Sequence, residues 1–249
     1  MGNGGDVNLT TETLELENVA VIDTSVFGTG NGGDINVNAN SITLTGNLST
    51  FISQVRGFDL PLVREQGKGN GGNLNINTDS ISFDELTGIL LDVQTGARGN
   101  GGDININATG NVDYINEEGF TFVLTQLGSE SIGSAGNINI NAGSFAANPG
   151  SIILSDTQGI GNAGNISITA EIDITFSSTQ IQSQTINNAV GDAGDINIVA
   201  GNSFIVGDGS LILADTQAEG NGGKIVVNAG DRILLSGFSA AGFPSQFSA

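Results

Sequence analysis

The chain is organised around an eight-residue motif that recurs eight times, and this repeat limits the available folds more than any other feature. The copies begin at Gly2, Gly30, Gly69, Gly99, Gly133, Gly161, Gly191 and Gly220, at spacings of 28, 39, 30, 34, 28, 30 and 29 residues. The first and fourth positions are Gly in every copy, and the sixth and eighth are Val, Leu or Ile in every copy. Such a period is typical of solenoids, whose repeats bury their apolar faces against one another.

Apolar and polar residues alternate within each unit, which predicts β-strands with one buried face. The second unit contains three such segments, at 34–38, 41–45 and 51–53, separated by turn residues. No segment has a 3.6-residue apolar period long enough for a helix, so a parallel sheet with helical crossovers is disfavoured. We predict an all-β, single-stranded parallel β-helix (β-solenoid) with about eight coils of roughly 30 residues and three strands per coil. Ile104 should then contact Leu74 and Ile138.

Stacking also predicts what lies at the corners and in the polar columns. The motif glycines are expected where the backbone needs a positive φ or a close approach to neighbouring coils. Asn at the second motif position is expected to bond within its turn and to its stacked neighbour. Because acids stacked at about 4.8 Å repel, we expect acids to alternate with hydroxyls along the third strand. The members of that column are predicted to be Asp23, Ser53, Asp92, Thr125, Asp156, Ser183 and Asp215.

The same reasoning predicts one β-helix domain over residues 1–249. An insertion at about 56–68 is expected to form a loop on the outside of the solenoid. Neither end carries a polar capping element, so we expect the chain to be a segment of a longer solenoid. The other interpretation of the bare ends is head-to-tail pairing of copies into a fibre.

Composition argues against several functions. The chain has no Cys and no His, which excludes thiolate metal sites, cysteine nucleophiles and Ser-His-Asp catalysis. Its formal net charge of −20, with six Lys and Arg, argues against nucleic acid as a partner. We expect no catalytic, cofactor-binding or metal-ligating residues. The acidic surface is expected to attract Ca²⁺ only loosely, because the nonapeptide Asp pattern of a calcium roll is missing.

Several segments resemble a known family. The block GNGGDININA at 99–108, the SITL segment at 41–44, the DTQ segments at 156–158 and 215–217, and the tail at 231–245 are similar to repeats of filamentous-haemagglutinin-like exoproteins, particularly cyanobacterial ones. The resemblance covers essentially the whole chain. It implies a right-handed β-helix, two-partner secretion through an outer-membrane pore, and a secreted or cell-surface adhesin. The secretion domain of that family has no counterpart in this sequence.

The insertion contains the best candidate for a binding site. Half of the bases of the chain lie there, and Arg98 of the next coil is expected near Lys68. The candidate ligand-binding residues are Arg56, Phe58, Arg64, Lys68 and Arg98. The alternative is that these bases neutralise the acids of neighbouring coils, as a structural role would require.

We therefore expect a structural stalk segment of a β-helical adhesin or exoprotein, acting in adhesion or the extracellular matrix. Its expected partners are glycans or proteins of a host cell, a neighbouring cell or the matrix. A second hypothesis is a carbohydrate-active β-helix enzyme, for which Asp92, Asp156 and Asp215 are the acids to test. These acids follow the repeat, as scaffold residues do, so we expect no enzyme. A third hypothesis is a self-assembling extracellular filament.

Overall fold

The computed structural model describes residues 2–60, 63–115 and 120–249, and for 58–60 and 63–65 it describes the backbone only. Within these residues all secondary structure is β, and no helix has the length and apolar character needed to span a bilayer. Strands from successive motif copies pair in parallel, and together they form a β-solenoid of about seven turns. The predicted fold class is confirmed. The eight predicted copies are present as eight stacked levels, which we call coils 1 to 8.

Three faces of each coil carry strands. The first two faces form one branched sheet of 13 strands. Its members are β1 (Val7–Glu17), β4 (Ile35–Thr45), β9 (Leu74–Asp84), β11 (Ile104–Ala108), β12 (Asn111–Ile115), β14 (Ile138–Ala142), β15 (Ser144–Ala147), β17 (Ile166–Ala170), β18 (Ile174–Ser177), β20 (Ile196–Ala200), β21 (Ser203–Gly207), β23 (Ile225–Ala229) and β24 (Arg232–Leu235). In coils 1 to 3 one long strand covers both faces, whereas from coil 4 onward a Gly-containing or acidic bend divides it in two.

The third face is a sheet of eight strands, one per coil. They are β2 (Val21–Asp23), β5 (Thr50–Ile52), β10 (Gly88–Leu90), β13 (Phe122–Leu124), β16 (Ile152–Leu154), β19 (Gln180–Gln182), β22 (Leu211–Leu213) and β25 (Gln246–Ser248). A separate parallel sheet of two short strands, β3 (Val26–Phe27) with β6 (Val55–Arg56), follows the third face along the chain. An antiparallel pair lies in the insertion of coil 2: β7 (Phe58–Leu60) and β8 (Val63–Glu65).

Identical motif positions lie directly above one another. Ile104 pairs with Leu74 in the coil before it and with Ile138 in the coil after it, as predicted. All three side chains are fully buried. The aliphatic residues of the sixth and eighth motif positions therefore form continuous columns, and their burial supplies the main stabilisation of the fold.

Aromatic rings continue the core along the second face. Phe83, Tyr114, Phe145, Phe176 and Phe204 contact one another in sequence, with centroid separations of 4.8, 5.4, 5.7 and 5.4 Å. The hydroxyl of Tyr114 is buried without a hydrogen-bond partner among the described residues, and burial raises the pKa of this phenol. The hydroxyl of Tyr114 is therefore a polar group in this aromatic column whose burial no hydrogen bond from the described residues offsets.

The two invariant glycines of the motif share a close contact with the coil before them, and the first also has an unusual backbone conformation. The first has a positive φ in coils 2 to 8, for example 144° at Gly99, a conformation that side chains with a Cβ rarely adopt. The fourth is required by contact, since a Cβ at Gly102 would lie 1.9 Å from the carbonyl oxygen of Gly72. Both predicted reasons for glycine are thus confirmed: the positive φ at the first position, and the close contact at both, since a Cβ at Gly99 would lie 1.8 Å from the carbonyl oxygen of Gly69.

Polar side chains at two motif positions link the corners of successive coils. At the second position, Oδ1 of Asn3 accepts a hydrogen bond of 2.9 Å from the backbone N–H of Asn31, and Asn31 and Asn70 accept equivalent bonds from the next coils. At the fifth position, Asp6 likewise accepts from the N–H of Asp34 at 2.9 Å. The predicted contact of the second-position Asn with its stacked neighbour is confirmed.

Candidate functional site

The candidate basic residues Arg56, Lys68 and Arg98 lie at two separate places on the solenoid. Arg56 pairs with Phe27 across β3 and β6, and its guanidinium carbon lies 5.5 Å from the centroid of the Phe27 ring. Its Nε is buried without a hydrogen-bond partner among the described residues. Lys68 and Arg98 lie side by side in a separate column of parallel bridges, and both are exposed. The structure thus places Lys68 beside Arg98, while Arg56 contacts Phe27 of the coil before it.

The other two candidate residues, Phe58 and Arg64, have side chains outside the part that the structure describes. Their backbones belong to the antiparallel pair of β7 and β8, in which Phe58 lies opposite Glu65. The backbone segments on the two sides of the insertion lie close together. A Cβ on Gly67 would be 2.7 Å from the carbonyl oxygen of Arg56. The role of these five residues in ligand binding stays a prediction.

The column of acids on the third face differs from the prediction by one position. Val55 donates its backbone N–H to the carbonyl of Asp92, and Val93 donates to that of Gln126, which stacks Gln54, Asp92 and Gln126. The same pattern continues through Asp156, Gln184 and Asp215. Asp23 lies outside this column, because it pairs with Ile52. Acids therefore alternate with glutamines, and the predicted alternation with hydroxyls is wrong.

The hydroxyls predicted for that column instead accept hydrogen bonds from the backbone inside the coil. Oγ1 of Thr125 accepts a hydrogen bond of 2.9 Å from the N–H of Gly136, and Ser53 and Ser183 accept equivalent bonds from Gly72 and Gly194. These hydroxyls are buried, and each satisfies the backbone of a motif glycine that packs against the coil before it. They are structural residues.

Burial changes the protonation of two acids in the column. Desolvation raises the pKa of Asp156 to about 7, opposed by the N–H of Gln184 and reinforced by the negative charge of Asp215. Desolvation likewise raises the pKa of Asp92 to about 6, opposed by a hydrogen bond with Gln54 and by the charge of Arg56. Asp156 is only 1 % exposed, so a substrate in solution does not reach its carboxyl group. Asp92 and Asp215, by contrast, are half-buried.

A polar groove runs along the outside of coils 1 to 6, at the bend between the first two faces. Its volume is about 670 Å³, and we call it the asparagine groove. One wall is a column of exposed amides: Asn38, Asn77, Asn107 and Asn141. The other residues that line it include Thr11, Asn40, Asp79, Thr109 and Glu171. Among the residues that the structure describes, those that line the groove include no Lys, Arg or aromatic residue.

This groove was not predicted, although the sequence contains a signal for it. Asn occupies alternate positions in four consecutive copies: 36 and 38, 75 and 77, 105 and 107, and 139 and 141. Such a pattern indicates two exposed amide columns on one face of a stacked strand. The concave bend beside the outer column depends on the path of the backbone.

The fold and these surfaces define the chain as a β-solenoid with polar outer ladders. Comparisons with protein-family models, with curated proteins and with solved structures give no match. The resemblance to filamentous-haemagglutinin-like exoproteins therefore stays a prediction based on the motifs.

Proposed function

We propose that the chain is a stalk segment of a secreted or surface-associated adhesin, exported through an outer-membrane pore and acting in adhesion or in the extracellular matrix. The observation that supports the stalk is the continuity of strand pairing, since each coil is bonded in parallel register to the next from β1 to β25. Seven steps of about 4.8 Å give a rod roughly 35 Å long. Each coil of such a rod contacts only the coils next to it, so further coils can lengthen the rod without altering the existing contacts.

A stalk must carry tension along its axis. The pairing of strands between neighbouring coils predicts how the stalk should unfold under force. Pulling the chain between its two ends in a force spectrometer should produce successive ruptures, because each coil contacts only its neighbours. Each rupture should release about 30 residues, or roughly 100 Å of extended chain. Extension of the whole chain without rupture peaks would contradict a load-bearing role.

The insertion of coil 2 is proposed as one adhesive element of the stalk. Deletion of residues 57–66 would join Arg56 to Gly67 and give the corner the length that coil 1 already has between Val26 and Gly30. We expect the shortened protein to fold with unchanged circular dichroism and to lose binding to arrays of matrix proteins and glycans. A matched control, Lys224→Ala with Arg232→Ala, removes two bases elsewhere and should leave binding unchanged. Equal binding by the deletion variant and the parent would remove the loop from the proposal.

A further inference from the structure

We infer that the asparagine groove is a binding site for a linear, neutral polysaccharide lying parallel to the solenoid axis. The inference deepens the proposed adhesive function and depends on it only for its biological setting. It rests on the order of the amides, on the chemistry that these amides leave free, and on the charge of the groove.

The amides of the groove are held in one orientation by a ladder of hydrogen bonds. Nδ2 of Asn77 donates to Oδ1 of Asn38 at 3.1 Å, Asn107 donates to Asn77 at 3.3 Å, and Asn141 donates to Asn107 at 2.9 Å. A second, half-buried ladder runs beside it through Asn36, Asn75, Asn105 and Asn139, with bonds of 2.9 to 3.0 Å. The exposed amides therefore need little ordering when a ligand binds, which lowers the entropy cost of association.

The ladder uses half of the hydrogen-bonding capacity of each interior amide. An Asn side chain has two N–H donors and an oxygen with two lone pairs, and the ladder engages one donor and one lone pair. One donor and one acceptor per coil stay available on the exposed side, repeating at about 4.8 Å. A hydroxyl group both donates and accepts, so a row of sugar hydroxyls complements this row of amides.

Other residues that line the groove also favour a ligand with hydroxyl groups. Oγ1 of Thr109 donates to Oδ1 of Asp79 at 2.9 Å, which fixes the carboxylate as an acceptor facing the groove. With Glu171 also present and no base lining the groove, the site repels anionic polymers. The backbone along this face is already paired in the strand ladders, so an extended peptide would find no free main-chain partners. A neutral, hydroxyl-rich chain fits these conditions best.

Gel electrophoresis through polysaccharide tests the site with the soluble chain alone. We expect galactomannan, xyloglucan or hydroxyethyl cellulose in the gel to retard the protein, whereas alginate and pectate should not. The double variant Asn77→Val with Asn107→Val should raise the dissociation constant at least tenfold. The fold should accept it, because the same column holds Val199 in coil 7.

The control uses the same column outside the groove. Thr169→Val with Asn228→Val should leave retardation unchanged, since neither residue lines the groove. If the Val variant fails to fold, Asn77→Thr with Asn107→Thr replaces it, because Thr169 shows that the column holds Thr.

Three results would overturn the inference: no retardation of the parent by any neutral polysaccharide, equal retardation of the groove variant, or retardation only by acidic polysaccharide or by denatured gelatin. The stalk proposal is judged separately by the force measurement, so each can fail without the other.

Discussion

Replacing Gly102 by alanine is expected to lower the free energy of unfolding by at least about 3 kcal/mol. The new Cβ would lie 1.9 Å from the carbonyl oxygen of Gly72, which belongs to the coil before it. Neither segment can move freely, because backbone hydrogen bonds join the two coils on both sides of it, from Gly71 to Asn100 and from Leu74 to Asp103. At roughly 2–4 °C per kcal/mol for a chain of this size, the melting temperature should fall by about 6 °C or more. Thermal and urea unfolding followed by circular dichroism would measure the change.

The first motif copy supplies a matched control. Gly5 occupies the same motif position, but no atom lies within 4 Å of its Cβ position. Gly5→Ala should therefore change the free energy of unfolding by no more than about 0.5 kcal/mol. Equal effects of the two substitutions would mean that the stacking contact is not what requires glycine. Hydrogen exchange should also show loss of protection around coils 3 and 4 in Gly102→Ala alone.

The protein is expected to be less stable at pH 8 than at pH 5, and Asp156 should be a main cause. Burial raises the pKa of Asp156 to about 7, from roughly 3.9 in an unfolded chain. Between these values the native state binds more protons than the unfolded state, so stability falls as the pH rises. The stability that protonated Asp156 contributes is fully present below about pH 4 and is lost above about pH 7. Asp92, with a pKa of about 6, should add a smaller fall in the same direction.

Asp156→Asn should remove most of this pH dependence. The Asn oxygen can still accept the N–H of Gln184, which lies 2.7 Å from Oδ1 in the parent. We expect a gain of about 2–4 kcal/mol at pH 8 and little change at pH 4, measured by urea unfolding across the range. Asp103→Asn serves as control, because the equivalent positions hold Asn73 and Asn137 and the change removes the same charge at a less buried site. Stability that rises from pH 5 to pH 8 in the parent would contradict the assignment.

Much of this fold could be predicted from the repeat. The aliphatic columns required only that equal motif positions stack, and Ile104 between Leu74 and Ile138 confirms it. The requirement for glycine at two motif positions could also be predicted, since a corner in a tightly stacked coil restricts both φ and the space for a Cβ. In each case one physical constraint acts identically in all coils, so the sequence repeats it.

The acid column shows where counting along the sequence failed. Asp92, Asp156 and Asp215 do lie in alternate coils, but the residues that alternate with them are Gln54, Gln126 and Gln184. The corners differ in length from coil to coil, so distance from the motif does not fix the register of the third strand. Pairing of the backbone fixes it, and pairing places the hydroxyls one position earlier and inside the coil.

The candidate binding residues divide in the same way. The pairing of Lys68 with Arg98 follows from the repeat, since each residue directly precedes the first glycine of a motif copy. The separation of Arg56 from that pair does not, because the inserted residues close back on themselves before the corner ends. The asparagine groove was visible in the sequence as alternating amides, but its concave shape was not.

By itself the sequence determined the stacked β architecture, the inward aliphatic columns and the glycine corners, because these depend on residue type at a fixed period. Only the tertiary structure decided which residues of unequal corners meet, which hydroxyls are buried, and where the outer surface bends into a groove. The physical reason is that hydrogen bonding between coils sets the register one residue at a time, whereas a repeat in the sequence sets it only where every copy has the same length.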